Sequence, residues 1–243
     1  MKTNCLAIDF GNTLIKIGVF VNDELIEVLE LKDLSTIRLK KIISKNKIQS
    51  AIVSSVTKIS KTIEDKIKKI IPTILLSEKT SLPIINLYQE KKKLGKDRLA
   101  NAVAGNKMFP KKNVLIINCG SCIIYDFVNE KGEYLGGSIS PGLKMRLNAL
   151  HTFTSKLPKI KKAVPEKFIG NTTQQSILSG VVFGASKEID GMIDEYQKQF
   201  SGVKVVISGG DALMFVPHLK NKIFAVPQIV LRGLYQILKL NAH

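Results

Sequence analysis

The stretch Leu6-Ala7-Ile8-Asp9-Phe10-Gly11-Asn12-Thr13-Leu14-Ile15-Lys16-Ile17-Gly18-Val19-Phe20 sets the terms for the rest of the chain. An apolar run carries Asp9 to its end. A glycine and two small polar residues follow, and a second apolar run begins. That pattern predicts strand, tight turn, strand, with Asp9 at the mouth of the turn. Such a turn offers backbone N–H groups, two short polar side chains and Lys16 to a polyphosphate. Asp9 is badly placed to touch phosphate but well placed to hold a hydrated Mg²⁺ beside it. An ordinary hairpin with an Asx-rich turn is the other reading, and the rest of the chain has to choose between them.

At 243 residues with 44% hydrophobic content, the chain is long and apolar enough for one large domain or two modest ones. No apolar run approaches the roughly 20 residues of a membrane helix. Asp9 interrupts the only apolar stretch near the start, so no signal peptide is expected, and a cytoplasmic protein with no membrane partner is. Three cysteines, Cys5, Cys119 and Cys122, are too few for a disulfide framework. Cys119-x-x-Cys122 has half the spacing of a zinc site, but His151, His218 and His243 supply no paired ligands. Buried or half-buried thiols are expected. The net charge of +17 is spread along helical faces in company with many isoleucines, and no nucleic-acid-binding motif accompanies it. It favours anionic small substrates over nucleic acid.

Along the chain, Glu24–Leu31 alternates as a third strand, Ser35–Lys45 as a helix, Ala51–Val56 as a buried strand ending in hydroxyls, Thr57–Ile71 as a helix and Ile74–Leu76 as a strand. The order βββαβαβ suits half of an actin-like ATPase. Ser77–Lys93 has little periodicity and reads as a long surface loop. Gly95-Lys96-Asp97-Arg98 then opens a small-residue helix. Asp97 there is either a helix cap or a functional carboxylate, and Arg98 beside it is expected to keep it ionised and to grip a substrate carboxylate. Asn113–Val128 repeats the opening design, with Asn118-Cys119-Gly120-Ser121 matching Asp9-Phe10-Gly11-Asn12. This weak repeat predicts two halves, 1–112 and 113–243, with the final helix (Ile229–Leu240) packing back on the first. Gly180, Gly184 and Gly191 on the long helix from Thr172 to about Phe200 suggest close packing, against a partner among the candidates. Gly209-Gly210 ends a strand in a turn that lets a flat purine and ribose approach the backbone.

Taken together these motifs resemble the type III pantothenate kinases of bacterial coenzyme A synthesis. The resemblance rests on Asp9-x-Gly11-Asn12-Thr13-x-x-Lys16, Gly95-x-Asp97-Arg98, Gly136-Gly137-x-Ile139-x-Pro141-Gly142, Asn171-Thr172 and Gly209-Gly210-x-Ala212, in the family's order. It implies a duplicated actin-like (ribonuclease H-like) α/β ATPase fold, a homodimer, and phosphorylation of pantothenate by ATP. ATP would be contacted by Asp9, Phe10, Gly11, Asn12, Thr13, Leu14, Ile15 and Lys16, with Ser121 where the family has a threonine, and by Gly209 and Gly210. Asp9 would hold Mg²⁺. Asp97 matches the general base, and Tyr88, Gly95, Lys96, Asp97, Arg98 and Thr172 match substrate contacts. One departure stands out: Asn118 occupies the place of an aspartate that binds K⁺ or NH₄⁺ in the family. It keeps an oxygen ligand and loses a charge, which puts the monovalent-cation site in doubt. Another actin-like metabolite kinase, or a non-catalytic accessory transcription regulator of the same family, is the alternative.

Overall fold

The computed structural model describes residues 4–55 and 61–241. The chain forms two compact units. One holds the chain up to Met108, together with Gly132–Tyr134 and the stretch from Gln228 onward. The other holds Phe109–Lys131 and Leu135–Pro227.

The first unit is built on β1 (Cys5–Phe10), β2 (Ile15–Val21), β3 (Glu24–Leu31), β4 (Ser50–Ser55) and β5 (Thr73–Leu75), in the order β3-β2-β1-β4-β5. β1 pairs antiparallel with β2 and parallel with β4, so it is central and all six of its residues are buried. Side chains alternate across a strand. Leu6, Ile8 and Phe10 therefore join Ala51 and Val53 in one core, covered by α1 (Thr36–Asn46) through Leu39 and Ile42, by α2 (Lys61–Ile70) through Ile67, and by Ile71 just after it. Cys5, Ala7 and Asp9 take the opposite face. Ser35 caps α1 by accepting from the Arg38 N–H at 3.2 Å, and Lys47 ends it in the left-handed region. The expected start of the second helix at Thr57, and Val56 before it, lie outside the described residues.

The opposite face of this sheet belongs to α7 (Ile229–Asn241), where Tyr235 stacks on Phe20 of β2 at 4.1 Å and Leu231 reaches Gly18. α3 (Lys96–Met108) packs on α7 so closely that a Cβ on Gly233 would sit 1.8 Å from the Ala100 carbonyl oxygen. The small residues of α3 (Ala100, Ala102, Ala104, Gly105) permit that approach. One sequence expectation is corrected here. Ser77–Lys93 is not all loop: β6 (Ile85–Asn86) pairs parallel with Glu133–Tyr134. A two-residue strand leaves no alternation to read.

The second unit repeats the plan. β7 (Val114–Cys119) pairs antiparallel with β8 (Cys122–Val128) and parallel with β10 (Lys204–Ser208), which pairs parallel with β11 (Phe224–Ala225). β9 (Glu133–Pro141) lies beyond β8. The order β9-β8-β7-β10-β11 is that of β3-β2-β1-β4-β5, strand for strand. Leu115, Ile117 and Cys119 alternate into a core shared with Ile123, Tyr125, Phe127 and the buried side of α5 (Thr173–Gln199). α4 (Leu143–Thr152) adds Leu143 and Leu147, and the short α6 (Ala212–Phe215) adds Phe215. Among the described residues no helix is long and apolar enough to cross a membrane.

Candidate active site

In the first unit the sheet register sets the chemistry. Asp9 lies opposite Lys16 across the β1–β2 hairpin and beside Ser54 on β4. The Gly11 N–H donates to the Leu14 carbonyl at 3.2 Å and closes the turn, leaving Asn12 and Thr13 exposed at its tip. Asp9 is 7% exposed and accepts from the Ser54 hydroxyl at 2.5 Å. Burial pushes its carboxyl up to about 6, against the opposing pull of Ser54 and Lys16 and with the help of Asp97. Lys16 lies 3.7 Å from Glu30 on β3, which keeps its ammonium on this side of the sheet.

Asp97 comes from the first turn of α3. Its carboxylate accepts from the Arg98 N–H and from its own, which answers part of the unsatisfied donor set of a helix start. Arg98 pulls the group toward its ionised form, as the sequence suggested, but it does not act alone. Burial raises it and outweighs the guanidinium, so Asp97 is the better proton acceptor for it. Gly95 makes the room: a Cβ there would lie 2.6 Å from Asp97 Oδ1. Arg98 is 6% exposed, its guanidinium 5.6 Å from the Tyr88 ring centroid. Tyr88 is fixed in turn by its N–H bond to Asn86 Oδ1 at 3.0 Å, at the end of β6. Asp9, Lys16, Tyr88, Gly95, Lys96, Asp97 and Arg98 thus all belong to one unit, with two desolvated carboxylates close enough to feel each other. Ser54 was missed as a site residue in the sequence. Its signal was there, in a buried strand ending in hydroxyls that runs parallel to β1.

In the second unit, Ser121 is exposed at the β7–β8 turn, which the Gly120 N–H closes onto the Cys122 carbonyl at 2.9 Å. Gly209 turns in the left-handed region (φ 97°), and a Cβ on it would lie 2.2 Å from the Cys119 carbonyl oxygen, to which the Asp211 N–H donates. The Gly209-Gly210 turn is thereby seated on the end of β7, next to Asn118 and Ser121. Asn118 is half-buried and lies beside Ser208. Asp126 is fully buried on the same face of the sheet as Asn118, two cross-strand pairs farther along. Lys162 of the basic loop pairs with Asp211. Thr172 caps α5, accepting from the Gln175 N–H at 3.2 Å, and lines a cavity of about 1100 Å³ with Arg146, Phe153 and Asn171. Cys119 is buried with its thiol pushed up to about 12, and Cys122 lies 3.9 Å from the Met145 sulfur. Among the described residues no three His, Cys, Asp or Glu side chains gather as a metal cage. A single carboxylate beside substrate phosphates is instead the donor set that suits Mg²⁺, and Asp9 fits it.

A family model described as type III pantothenate kinase matches residues 5–195. A curated type III pantothenate kinase of Flavobacterium johnsoniae is 40% identical over 234 residues, covering 95% of this chain and 96% of that one. Among solved structures, a Campylobacter jejuni protein described as a Baf family transcriptional activator superposes with a TM-score of 0.61 at 19% identity, over 97% of this chain and 98% of that one. A hexokinase of the ROK family from Thermus thermophilus does so with a TM-score of 0.52 at 14% identity, over the full length of both. At those identities the two structures bear on fold alone, and with the strand-for-strand repeat they establish the duplicated actin-like α/β fold.

Proposed function

The chain belongs to the type III pantothenate kinase family, enzymes that phosphorylate pantothenate with ATP in coenzyme A biosynthesis, and we propose that Asp97 is the general base of that transfer. The observation that carries the assignment is the pairing in one unit of a desolvated Asp97 with Arg98 and with Asp9. The bond from the γ-phosphorus to the ADP oxygen breaks, a bond to the primary hydroxyl oxygen of pantothenate forms, and the hydroxyl proton passes to the Asp97 carboxylate. Arg98 grips the pantothenate carboxylate with its planar fork, stiffened by the Tyr88 ring. Gly95, Lys96, Tyr88 and Thr172 complete the substrate contacts. Asp9, Phe10, Gly11, Asn12, Thr13, Leu14, Ile15 and Lys16 contact ATP, as do Ser121, Gly209 and Gly210. Divalent metal use follows from the kinase family, and Asp9 is the residue that would hold Mg²⁺, which neutralises phosphate charge as it transfers.

A neutral Asn118 gives a weaker monovalent-cation site than an aspartate. Asp126 supports that site only indirectly, since it sits two cross-strand pairs away. Exchanging K⁺ for Na⁺ is expected to change the rate modestly, and complete loss of turnover in Na⁺ would show a fully effective cation site. A homodimer is the working assembly.

The deciding experiment is pantothenate-dependent ADP formation by wild type and Asp97→Ala. The variant should lose kcat by about 10²- to 10⁴-fold while ATP binding, followed by fluorescence of a nucleotide analogue, stays within a few-fold. Near-normal turnover would remove Asp97 as the base.

A further inference from the structure

Asn101 is wholly buried, at 0% exposure, and among the described residues neither its Nδ2 nor its Oδ1 has a hydrogen-bonding partner. Leaving a buried polar group unsatisfied costs stability, and an amide has two such atoms. A leucine or alanine would fill a buried position on α3 without that cost. The position of the residue suggests what the amide is for. Asn101 follows Asp97 by four residues and Arg98 by three on α3, which places all three on one helical face. Side chains on a helix lean toward its N-terminus and lie over the preceding turn. The Asn101 amide is therefore directed at the turn that carries the base and the carboxylate grip.

We propose that Asn101 is a positioning residue for the phosphoryl transfer, its Nδ2–H₂ donating to the Asp97 carboxylate in the substrate complex. The contact forms as the site tightens on its substrates, as catalytic hydrogen bonds often do. It keeps one carboxylate oxygen aimed at the pantothenate hydroxyl. The proposal rests on Asp97 being the base. The charged groups acting on Asp97 and Asp9 are Arg98 from α3 and Lys16 from β2, while Ser54 of β4 bonds Asp9. The ionisable side chains of α7 point elsewhere: Tyr235 and Lys239 bond Asp23, and Arg232 is exposed.

The test compares Asn101→Leu and Asn101→Ala with wild type and Asp97→Ala, reading melting temperature, kcat, KM for pantothenate and the pH profile of kcat, which reports the base in the substrate complex. Asn101→Leu should melt no lower than wild type, because two unsatisfied atoms are removed, yet lose kcat by about tenfold to a hundredfold. KM should change little. In both variants the acid limb should move to higher pH, since the ionised base loses a donor. A purely structural asparagine would leave kcat and the acid limb where they are, and that result overturns the proposal. So does failure of both variants to fold. If Asp97→Ala itself retains turnover, the base assignment fails first; if it is inactive while both Asn101 variants are normal, only the positioning role is lost.

Discussion

With its carboxyl raised from 3.8 to about 6, Asp9 takes up a proton on folding at any pH between those values. A raised acid is a cost to the folded state that grows as pH climbs from about 4 to about 6 and is complete above that. The shift corresponds to roughly 3 kcal/mol. Asp9→Asn keeps an oxygen for the Ser54 hydroxyl and removes the charge. At pH 7.5 and without ligands it should therefore melt higher than wild type, by an amount that vanishes below pH 4. Mg·ATP should raise the melting temperature of wild type and not of the variant, which should be inactive. A variant that melts lower at pH 7.5 would contradict the desolvation account. Arg98 tests the other end of the substrate. Arg98→Lys keeps the charge but loses both the fork and the flat face over Tyr88, so KM for pantothenate should rise about tenfold or more with a smaller change in kcat; an unchanged KM would count against the carboxylate grip.

Two turns show how elements serve the site. Gly95 precedes α3, and a Cβ there would crowd Asp97 Oδ1 at 2.6 Å, the movable end of a side chain, while Arg98 Cγ and Cδ lie at ordinary contact distance, 3.5 and 3.6 Å. Gly95→Ala should therefore leave the melting temperature nearly unchanged while displacing the base and lowering kcat. Gly209 is different. Its Cβ would strike backbone, 2.2 Å from the Cys119 carbonyl oxygen, in a left-handed conformation. Gly209→Ala should destabilise the second unit by about 2 kcal/mol or more and weaken ATP binding, both readable by thermal melts with and without nucleotide. The hairpins were legible in the sequence because strand alternation and a glycine turn are local signals, and Asp97-Arg98 stood out because an arginine beside the acid adds a carboxylate grip that a simple helix cap does not need. Ser54 and β6 were not, since what gives them meaning is a register: β4 beside β1, and Ile85–Asn86 beside Glu133–Tyr134. Raised carboxylates were not legible either, because burial is a property of the packed chain and the adjacent Arg98 pointed the other way.

At the scale of the molecule, duplication puts a hairpin with a polar tip at the centre of each sheet, and the two copies have diverged in charge, Asp9 against Asn118. The long helix α5 adds a question of assembly. Gly180, Gly184 and Gly191 are exposed, and a Cβ on any of them would meet nothing within 4 Å. Each costs the helix about 1 kcal/mol relative to alanine, and among the described residues no neighbour packs against them closely enough to require glycine. Nearby stretches expose Phe153 (84%) and Ile169 (80%), which line or flank the same cavity as Thr172. Small residues and bare apolar side chains together suit close contact with a second copy. Sedimentation of the wild type at micromolar concentration should give twice the mass of the chain. Gly184→Leu should improve the helix yet push the copies apart, shifting the equilibrium toward monomer, and Ile169→Glu should do the same with little effect on the subunit's own fold. Because Thr172 lines that cavity, both variants should also raise KM for pantothenate. A wild type that sediments as a monomer with full activity would leave these glycines without that role and separate Thr172 from any subunit contact.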